Sequence, residues 1–320
     1  MLLQPGHDKM LNSKLAEIKH LIDHSKSDHT RKAYETDWAH FEEWCQANKR
    51  VAMPASIETL LLYMNDLSKK YKYSTIRRKI SSISKAHKLQ NQINPTSHDY
   101  VKMTLDGIAK VKGKRQDAKR AILLRDLKLM IDCIDTETII GKRDKALLLV
   151  GFALASRRSE LVGIDREDVY FTPEGMDVHI RQTKTNDDEV VKSVVKIDSD
   201  YCPVGALEEW IKIANIQTGA IFVSIDRHGN LKDRTTDRTV ARVVKKYAAL
   251  AGLDSSQYAG HSLRSGLATS ASMEGMSDNS IMKQTGHKTR HMVDRYIQSG
   301  QRYKNNASSI LRNLSRMKEK

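Results

Sequence analysis

The chain has 320 residues, 39% of them hydrophobic, and a formal net charge of +15, which predict two folded domains and a polyanionic partner, above all nucleic acid. The longest apolar run, 146–155, is too short to cross a bilayer, and the N-terminus lacks the pattern of a secretory signal, so we expect a cytoplasmic protein. Cys45, Cys133 and Cys202 are too widely spaced to suggest a disulfide framework or a zinc ribbon.

Four amphipathic helices are predicted in the N-terminal third of the chain. Apolar residues recur at helical spacing in four segments: 30–45, 54–70, 73–88 and 97–115. Pro54 is suited to the first turn of the second helix. In the third helix, one side carries Ile76, Ile80, Ile83 and His87, and the others carry Arg77, Arg78, Lys79 and Lys85. Short connections predict a compact domain of four to five helices over residues 1–111.

A basic linker is predicted at 112–120, because the surrounding stretch 110–120 contains six Lys or Arg residues and almost nothing apolar. It either lies along a phosphate backbone or is a solvated hinge. Beyond it, 121–320 is mostly helical, but 176–185 and 189–197 are rich in β-branched residues and are separated by a turn. The predicted fold is therefore mainly α with a small antiparallel β-sheet: a helical N-terminal domain and a mixed α/β C-terminal domain.

Four short segments of the second domain carry polar side chains suited to phosphoryl transfer on DNA. Such chemistry with a tyrosine nucleophile needs cations for the phosphate oxygens, an acid for the leaving oxygen and groups that align both. The candidates are Arg157 beside Glu160 in "SRRSEL", Lys184 at the predicted hairpin tip in "RQTKT", His261 and Arg264 in "HSLR", and His287 and Tyr296 in "GHKTRHMVDRY". Each segment is a weak signal alone, since such arginines and lysines are mostly solvated and most tyrosines pack in cores.

A zinc site is the competing interpretation of the histidines. His287 and His291 are four residues apart, and His261 could be a third ligand. The glutamate that a zinc hydrolase places between its histidines is absent, and the cationic neighbourhood disfavours a divalent cation. We therefore predict that no metal is bound.

Jointly, "RRSEL", "TKT", "HSLR" and "GHKTRHMVDRY" resemble, in order and spacing, the tyrosine recombinase family, the phage-integrase-like enzymes that include Cre and the Xer proteins. The resemblance covers nearly the whole chain, because the helical N-terminal domain and basic linker are similar to the family's DNA-clamping domain. The family often has glycine shortly before its first arginine, whereas this chain has "LASR". Arg158 adjoins Arg157, so the choice between them depends on the motif alignment.

The resemblance implies a role for each of six residues. Tyr296 is implied to be the nucleophile, and Arg157 and Arg264 to hold the scissile phosphate. Lys184 is implied to be the general acid for the 5′-hydroxyl leaving group. The two histidines are assigned as acid/base partner of the tyrosine (His261) and hydrogen-bond partner of the phosphate (His287).

The implied function is site-specific DNA recombination through a 3′-phosphotyrosine intermediate, with no metal, ATP or other cofactor. The implied partners are double-stranded DNA with inverted-repeat half-sites and other copies of the chain, two protomers on each site and four in the synapse. A tail helix over about 304–320 is implied to be exchanged between protomers, and a helix folded back in cis is the alternative.

Phosphate contacts are predicted from two helices, with Arg77, Arg78 and Lys85 in the N-terminal domain and Arg238 and Arg242 in "DRTVARVVKKY". Two other functions remain open. One is a type IB topoisomerase-like or telomere-resolvase strand transferase, which shares this chemistry. The other is a non-catalytic DNA-binding accessory protein.

Overall fold

The computed structural model describes residues 28–113, 119–181, 190–301 and 307–311, together with Lys14 and Glu17. The chain divides into two compact units, Met1–Asp117 and Ala118–Lys320. As predicted, the fold is mainly helical with small antiparallel sheets. No helix within the described ranges combines the length and apolar character that a bilayer crossing needs. Part of the predicted linker and the predicted hairpin tip with Lys184 lie outside the described residues.

Residues 28–113 of the first unit form four α-helices: α1 (Asp28–Ala47), α2 (Ile57–Lys70), α3 (Tyr73–Leu89) and α4 (Asp99–Lys112). Their apolar faces meet around Phe41, Leu60 and Ile76, which are fully buried. The predicted start of α2 was wrong by a few residues. The Ser56 hydroxyl accepts a hydrogen bond from Thr59 N at 3.1 Å and so begins the helix after Pro54, which lies outside the first turn.

Helix α3 buries the side that its apolar spacing predicts, and it buries a lysine as well. Lys79 was predicted away from the apolar side, but it is only 5% exposed. Its Nζ lies 3.3 Å from Oδ1 of Asp37 on α1, and that carboxylate is itself buried. The buried cation is stabilised because an opposite charge is buried beside it, which periodicity along one helix does not reveal.

The second unit surrounds a helix whose second half, residues 146–153, is apolar on all sides. Its helices are α5 (Leu124–Asp132), α6 (Ile139–Ala153), α7 (Arg158–Gly163), α8 (Pro203–Ile213), α9 (Asp237–Leu250), α10 (His261–Met273), α11 (Asp278–Thr285) and α12 (Arg290–Gly300). Leu147, Leu148 and Val150 of α6 are fully buried in the core. A helix without a polar face is stable only when neighbours cover it completely, and the other helices do so here.

Two small sheets lie in the described part of this unit. The first has the order β1 (Val169–Thr172), β2 (Gly175–Ile180), β3 (Val190–Val195), all antiparallel, and the second pairs β4 (Val223–Ile225) with β5 (Leu231–Arg234). The predicted hairpin corresponds to β2 and β3. Strands β1, β4 and β5 were missed, because segments of three or four residues are too short to display an alternating pattern.

The predicted tail helix is described only over Ala307–Leu311, a short 3-10 segment. Ile310 and Leu311 of the predicted apolar stripe are 68% and 62% exposed there. The rest of the predicted helix lies outside the described residues.

Candidate active site

Five of the six predicted side chains line one open cavity of about 580 Å³. They are Arg157, His261, Arg264, His287 and Tyr296. The sixth, Lys184, lies outside the described residues. The five come from the start of α7, the first turn of α10, the residues after α11, and α12. Segments separated by more than a hundred residues therefore converge on a single positively charged recess.

Arg157 rather than Arg158 faces this cavity. Arg157 caps the start of α7, where its backbone N–H donates to Glu160 Oε2 at 2.9 Å and its guanidinium pairs with Glu160 Oε1. These hydrogen bonds outweigh burial and lower the pKa of Glu160, so its carboxylate braces the arginine. Arg158 points away and lies 3.3 Å from Asp237 of α9. Its side chain packs on Gly260, where a Cβ would lie 2.2 Å from Arg158 Cδ.

Arg264 is buried and holds two groups at once. Its Nη1 donates to Ala155 O at 2.8 Å, and its Nη2 lies 3.0 Å from Nε2 of His287. A guanidinium can only donate, so His287 Nε2 carries no proton and its Nδ1–H donates to Thr285 Oγ1 at 2.7 Å. Burial and the charges of Arg264 and Arg157 lower the pKa of His287 to about 4. His287 is therefore neutral at physiological pH.

Gly286 directs His287 into the cavity. It ends α11 with φ 67° and ψ 34°, a left-handed conformation in which its N–H bonds Met282 O. Glycine adopts this conformation without a steric penalty, and it is the usual residue at such helix ends. The Gly-His pair is thus a helix end followed by a side chain that lines the cavity.

The Tyr296 ring is only 6% exposed and packs against Ala268, Ile281 and Val293. Its hydroxyl lies 3.1 Å from His261 Nε2 and accepts a hydrogen bond from Arg295 Nη2 at 2.7 Å. Because the arginine can only donate, the phenol proton is directed to the histidine. The hydroxyl is therefore held between a proton acceptor and a cation.

His261 is suited to accept that proton. Its side chain borders the cavity, but partial burial by the surrounding protein lowers its pKa below the usual 6.5. The nearby charges of Arg264 and Arg295 act in the same direction. A neutral imidazole at physiological pH can take the proton of an attacking phenol.

Sequence reasoning missed Arg295 and Thr285. The guanidinium of Arg295 lies 4.8 Å from the Tyr296 ring centroid and also bonds the hydroxyl. Adjacent helical residues do not normally face each other, so the Arg-Tyr pair gave no reason to expect this contact. Thr285 orients His287, and its position two residues before that histidine was the only signal.

Of the five residues predicted to bind DNA, Lys85 is half-buried and the other four are exposed, and they differ in their contacts within the protein. Arg77 and Arg238 are exposed. Arg78 is already paired with the buried Asp37 at 2.6 Å, and Lys85 lies 5.7 Å from the ring centroid of Tyr34. Arg242 donates to Thr239 Oγ1 at 2.9 Å.

The histidines do not form the arrangement that the zinc interpretation requires. Within the described ranges no three His, Cys, Asp or Glu side chains are grouped so that they could hold a metal ion. His291 is 97% exposed and lies 3.6 Å from Asp294.

Residues 122–302 match the family model described as the phage integrase family. The chain is 40% identical over 304 residues to the "Integrase/recombinase xerD homolog" of Selenomonas ruminantium, an alignment that covers 93% of this chain and 89% of that protein. It is 23% identical over 279 residues to "Tyrosine recombinase XerC" of Syntrophus aciditrophicus strain SB, covering 86% and 88%. The chain therefore belongs to the phage integrase family.

Solved structures share the fold at low identity. One is XerH site-specific recombinase bound to palindromic difH substrate in a post-cleavage complex, with a TM-score of 0.61, 14% identity, and coverage of 80% of this chain and 72% of that chain. Another is a lambda integrase dimer bound to a COC′ core site, with a TM-score of 0.58, 15% identity, and coverage of 90% and 95%.

Proposed function

We propose that the protein is a site-specific DNA recombinase that cleaves and rejoins DNA through a 3′-phosphotyrosine on Tyr296. The observation that carries the proposal is the Tyr296 hydroxyl held between His261 and Arg295 on the wall of a cavity lined by Arg157 and Arg264. The relatives named as recombinases support the same activity.

In the proposed first step, Tyr296 Oη attacks a DNA phosphorus and its proton moves to His261 Nε2. Arg157 and Arg264 hold the non-bridging oxygens, on which charge builds in the transition state. Lys184 protonates the departing 5′-oxygen as the bond between phosphorus and that oxygen breaks. The products are a 3′-phosphotyrosine and a free 5′-hydroxyl.

Rejoining reverses these bond changes on a different strand. A 5′-hydroxyl from the partner duplex attacks the phosphotyrosine and gives its proton to Lys184. The new phosphodiester forms, the bond between phosphorus and Tyr296 Oη breaks, and the phenol recovers its proton from His261. One phosphate ester replaces another at each step, so no ATP is needed. Two arginines and a lysine supply the charge stabilisation, so the proposed reaction requires no metal.

Phosphate entry requires a change around His287. In this structure its Nε2 accepts from Arg264, and it therefore cannot donate to a phosphate oxygen through that atom. A bound phosphate offers acceptors that draw Arg264 toward itself. We infer that His287 then contributes only after Nε2 gains a proton, by uptake from solvent or by a tautomer switch.

Both units are proposed to contact double-stranded DNA, through Arg77, Arg78 and Lys85 and through Arg238 and Arg242. Helix α9 contacts the chain neighbours of two cavity residues, because Asp237 pairs with Arg158, next to Arg157, and Val240 packs on Gly260, next to His261. We further propose two protomers on each inverted-repeat site and a tetrameric synapse, with the segment after α12 exchanged between protomers.

The test uses a nicked suicide substrate, from which the cleaved end diffuses away. Wild-type protein should accumulate as a covalent adduct that survives denaturation, with DNA attached to the peptide containing Tyr296. Strand exchange between two such sites would then separate a recombinase from a topoisomerase or a telomere resolvase. A protein that binds the site but never becomes covalently attached leaves only the DNA-binding function.

We expect adduct formation to depend on a neutral His261. Because the pKa of His261 lies below 6.5 in the free protein, the single-turnover rate should be flat at neutral pH and fall as the solution becomes acidic. His261→Gln should be slow, and its rate should no longer respond to pH in that range. If the variant kept the acidic decrease, another group would be the proton acceptor.

We expect Arg242→Ala to weaken DNA binding and to reduce the slope of log K against log salt concentration by about one. Equilibrium binding measured over a series of salt concentrations gives this slope. Arg242→Lys preserves the charge and should keep the wild-type slope. An unchanged slope in Arg242→Ala would place this residue away from the phosphates.

A further inference from the structure

The turn between α6 and Arg157 presents three successive carbonyl groups to side chains of three other elements. The hydrogen bonds run from Gln284 Nε2 of α11 to Ala153 O (2.7 Å), from Lys192 Nζ of β3 to Leu154 O (2.8 Å), and from Arg264 Nη1 of α10 to Ala155 O (2.8 Å). Carbonyls at a helix C-terminus lack intrahelical partners and carry partial negative charge, so amide and cationic donors suit this place.

Lys192 occupies an inward position of its strand, where an apolar residue is expected. On β3 the inward positions are Lys192 and Val194, and an alternating strand normally has apolar residues there. The lysine is only 4% exposed, and its burial, with the repulsion of nearby Arg264 and Arg157, outweighs the attraction of Glu160 and lowers its pKa to about 8. A buried ammonium is unfavourable unless it is hydrogen bonded, so the hydrogen bond to Leu154 O indicates that the lysine holds this carbonyl.

The same turn contains a strained residue. Ala155 has φ 46°, in the left-handed region that favours glycine. The peptide planes before and after its Cα are held by Lys192 and Arg264, through Leu154 O and Ala155 O. These two hydrogen bonds oppose the relaxation of Ala155 toward a right-handed conformation, which would rotate the chain leading to Arg157.

We propose that Lys192 and Gln284 are positioning residues, which hold the turn at 153–155 so that Arg157 projects into the cavity. Gln284 Nε2 also lies 3.3 Å from Ser193 O, so it links the turn to β3 as well as to α11. The inference rests on the proposed function, in which Arg157 holds the scissile phosphate. Neither residue is assigned a contact with DNA.

The first test is the single-turnover rate of adduct formation on the suicide substrate. Lys192→Met should lower the rate about 100-fold, the effect expected when a catalytic group is misplaced by about 1 Å. Gln284→Leu should lower it about tenfold, because Lys192 and Arg264 still hold the turn. The control is Val191→Thr, an adjacent change on the exposed face of β3, which should leave the rate unchanged. A wild-type rate in Lys192→Met overturns the inference.

A substrate with a 5′-bridging sulfur separates positioning from proton donation. A thiolate leaves without protonation, so a variant that lacks the general acid should cleave this substrate at a rate close to that of the wild type. The cleavage rate of Lys184→Ala, which removes the proposed acid, should recover on this substrate. Lys192→Met should remain slow, because a misplaced Arg157 affects both substrates. Recovery of Lys192→Met would make it the acid and would refute the positioning role.

The strain at Ala155 provides a rescue experiment. Glycine adopts φ 46° without a penalty, so Ala155→Gly should let the turn keep its conformation when Lys192 is absent. The double variant of Ala155→Gly and Lys192→Met should therefore cleave about tenfold faster than Lys192→Met alone. A double variant as slow as Lys192→Met would show that the lysine does not act through this turn.

One measurement does not depend on catalysis. The Nε–H signal of Arg157 in protein labelled with 15N-arginine can be assigned by its disappearance in Arg157→Lys. It should shift in Lys192→Met and stay in place in Val191→Thr. If wild-type protein formed no adduct, the proposed function would fail but this signal would still report on the turn. An Arg157 signal unchanged in Lys192→Met refutes the inference whatever the activity.

Discussion

We expect Tyr296→Phe to abolish covalent attachment to DNA while the protein still folds and binds its site. A phenyl ring has no oxygen that can attack phosphorus, and no other hydroxyl is placed between His261 and Arg295 within the described part of the chain. The ring itself stays packed, so the lost hydrogen bonds should cost only about 0.5–1.5 kcal/mol of stability. Adduct formation on the suicide substrate, site affinity and thermal unfolding are measured on the same preparation.

Tyr258→Phe is a matched control for this substitution. Tyr258 is also buried, and its hydroxyl donates to Asp126 Oδ2 at 3.0 Å, away from the cavity. It should lose a comparable amount of stability and keep its cleavage activity. An adduct formed by Tyr296→Phe would assign the nucleophile to another residue and would falsify the proposed mechanism.

The second large effect is expected for Arg264→Lys. The guanidinium spans Ala155 O and His287 Nε2 from a buried position, and burial and the charge of Arg157 lower the pKa of Arg264 to about 10, which still leaves it charged. A lysine ammonium is a single compact donor group and cannot hold two separated acceptors and a phosphate. We expect the single-turnover rate to fall by about 10²–10³, the usual effect of losing one oxyanion-stabilising donor.

Stability must be measured with the rate, because a buried group left unpaired costs about 1–3 kcal/mol. Arg143→Lys is the matched control, since Arg143 is also buried and pairs with Asp144 at 2.6 Å in the same unit. It should be destabilised but should cleave at a temperature where it remains folded. If Arg143→Lys lost cleavage as completely as Arg264→Lys, the rate loss would reflect folding and not transition-state stabilisation.

The pairing of charges around the cavity explains why single motifs were weak predictors. Arg157 and Glu160 belong to one motif and Lys192 to a distant strand, yet the charge of Arg157 lowers the pKa of both Glu160 and Lys192. The sequence suggested that Glu160 could brace Arg157, since the two are three apart on one turn. It offered no comparable reason to bring Lys192 to Leu154 O, because those residues are 38 positions apart.

Local sequence patterns were sufficient to predict much of the fold and the family. Helical periodicity predicted the four helices of the first unit, because each of these helices buries a face that recurs every three to four residues. The order of the motifs from Arg157 to Tyr296 predicted the family that the comparisons establish. Chemistry that depends on residue type and spacing is visible before any fold is known.

The tertiary structure decided what local pattern leaves open. It brought five predicted side chains to one cavity, directed Arg157 and not Arg158 into it, and placed Arg295 on the Tyr296 hydroxyl. It also buried two cations, Lys79 and Lys192. Apolar spacing places Lys79 away from the apolar side of its helix, and it gives no reason for a lysine at the inward position of Lys192. The physical reason is that the free energy of burying a charge depends on the partner it meets, and that partner lies on another element whose position only the packing of the whole unit determines.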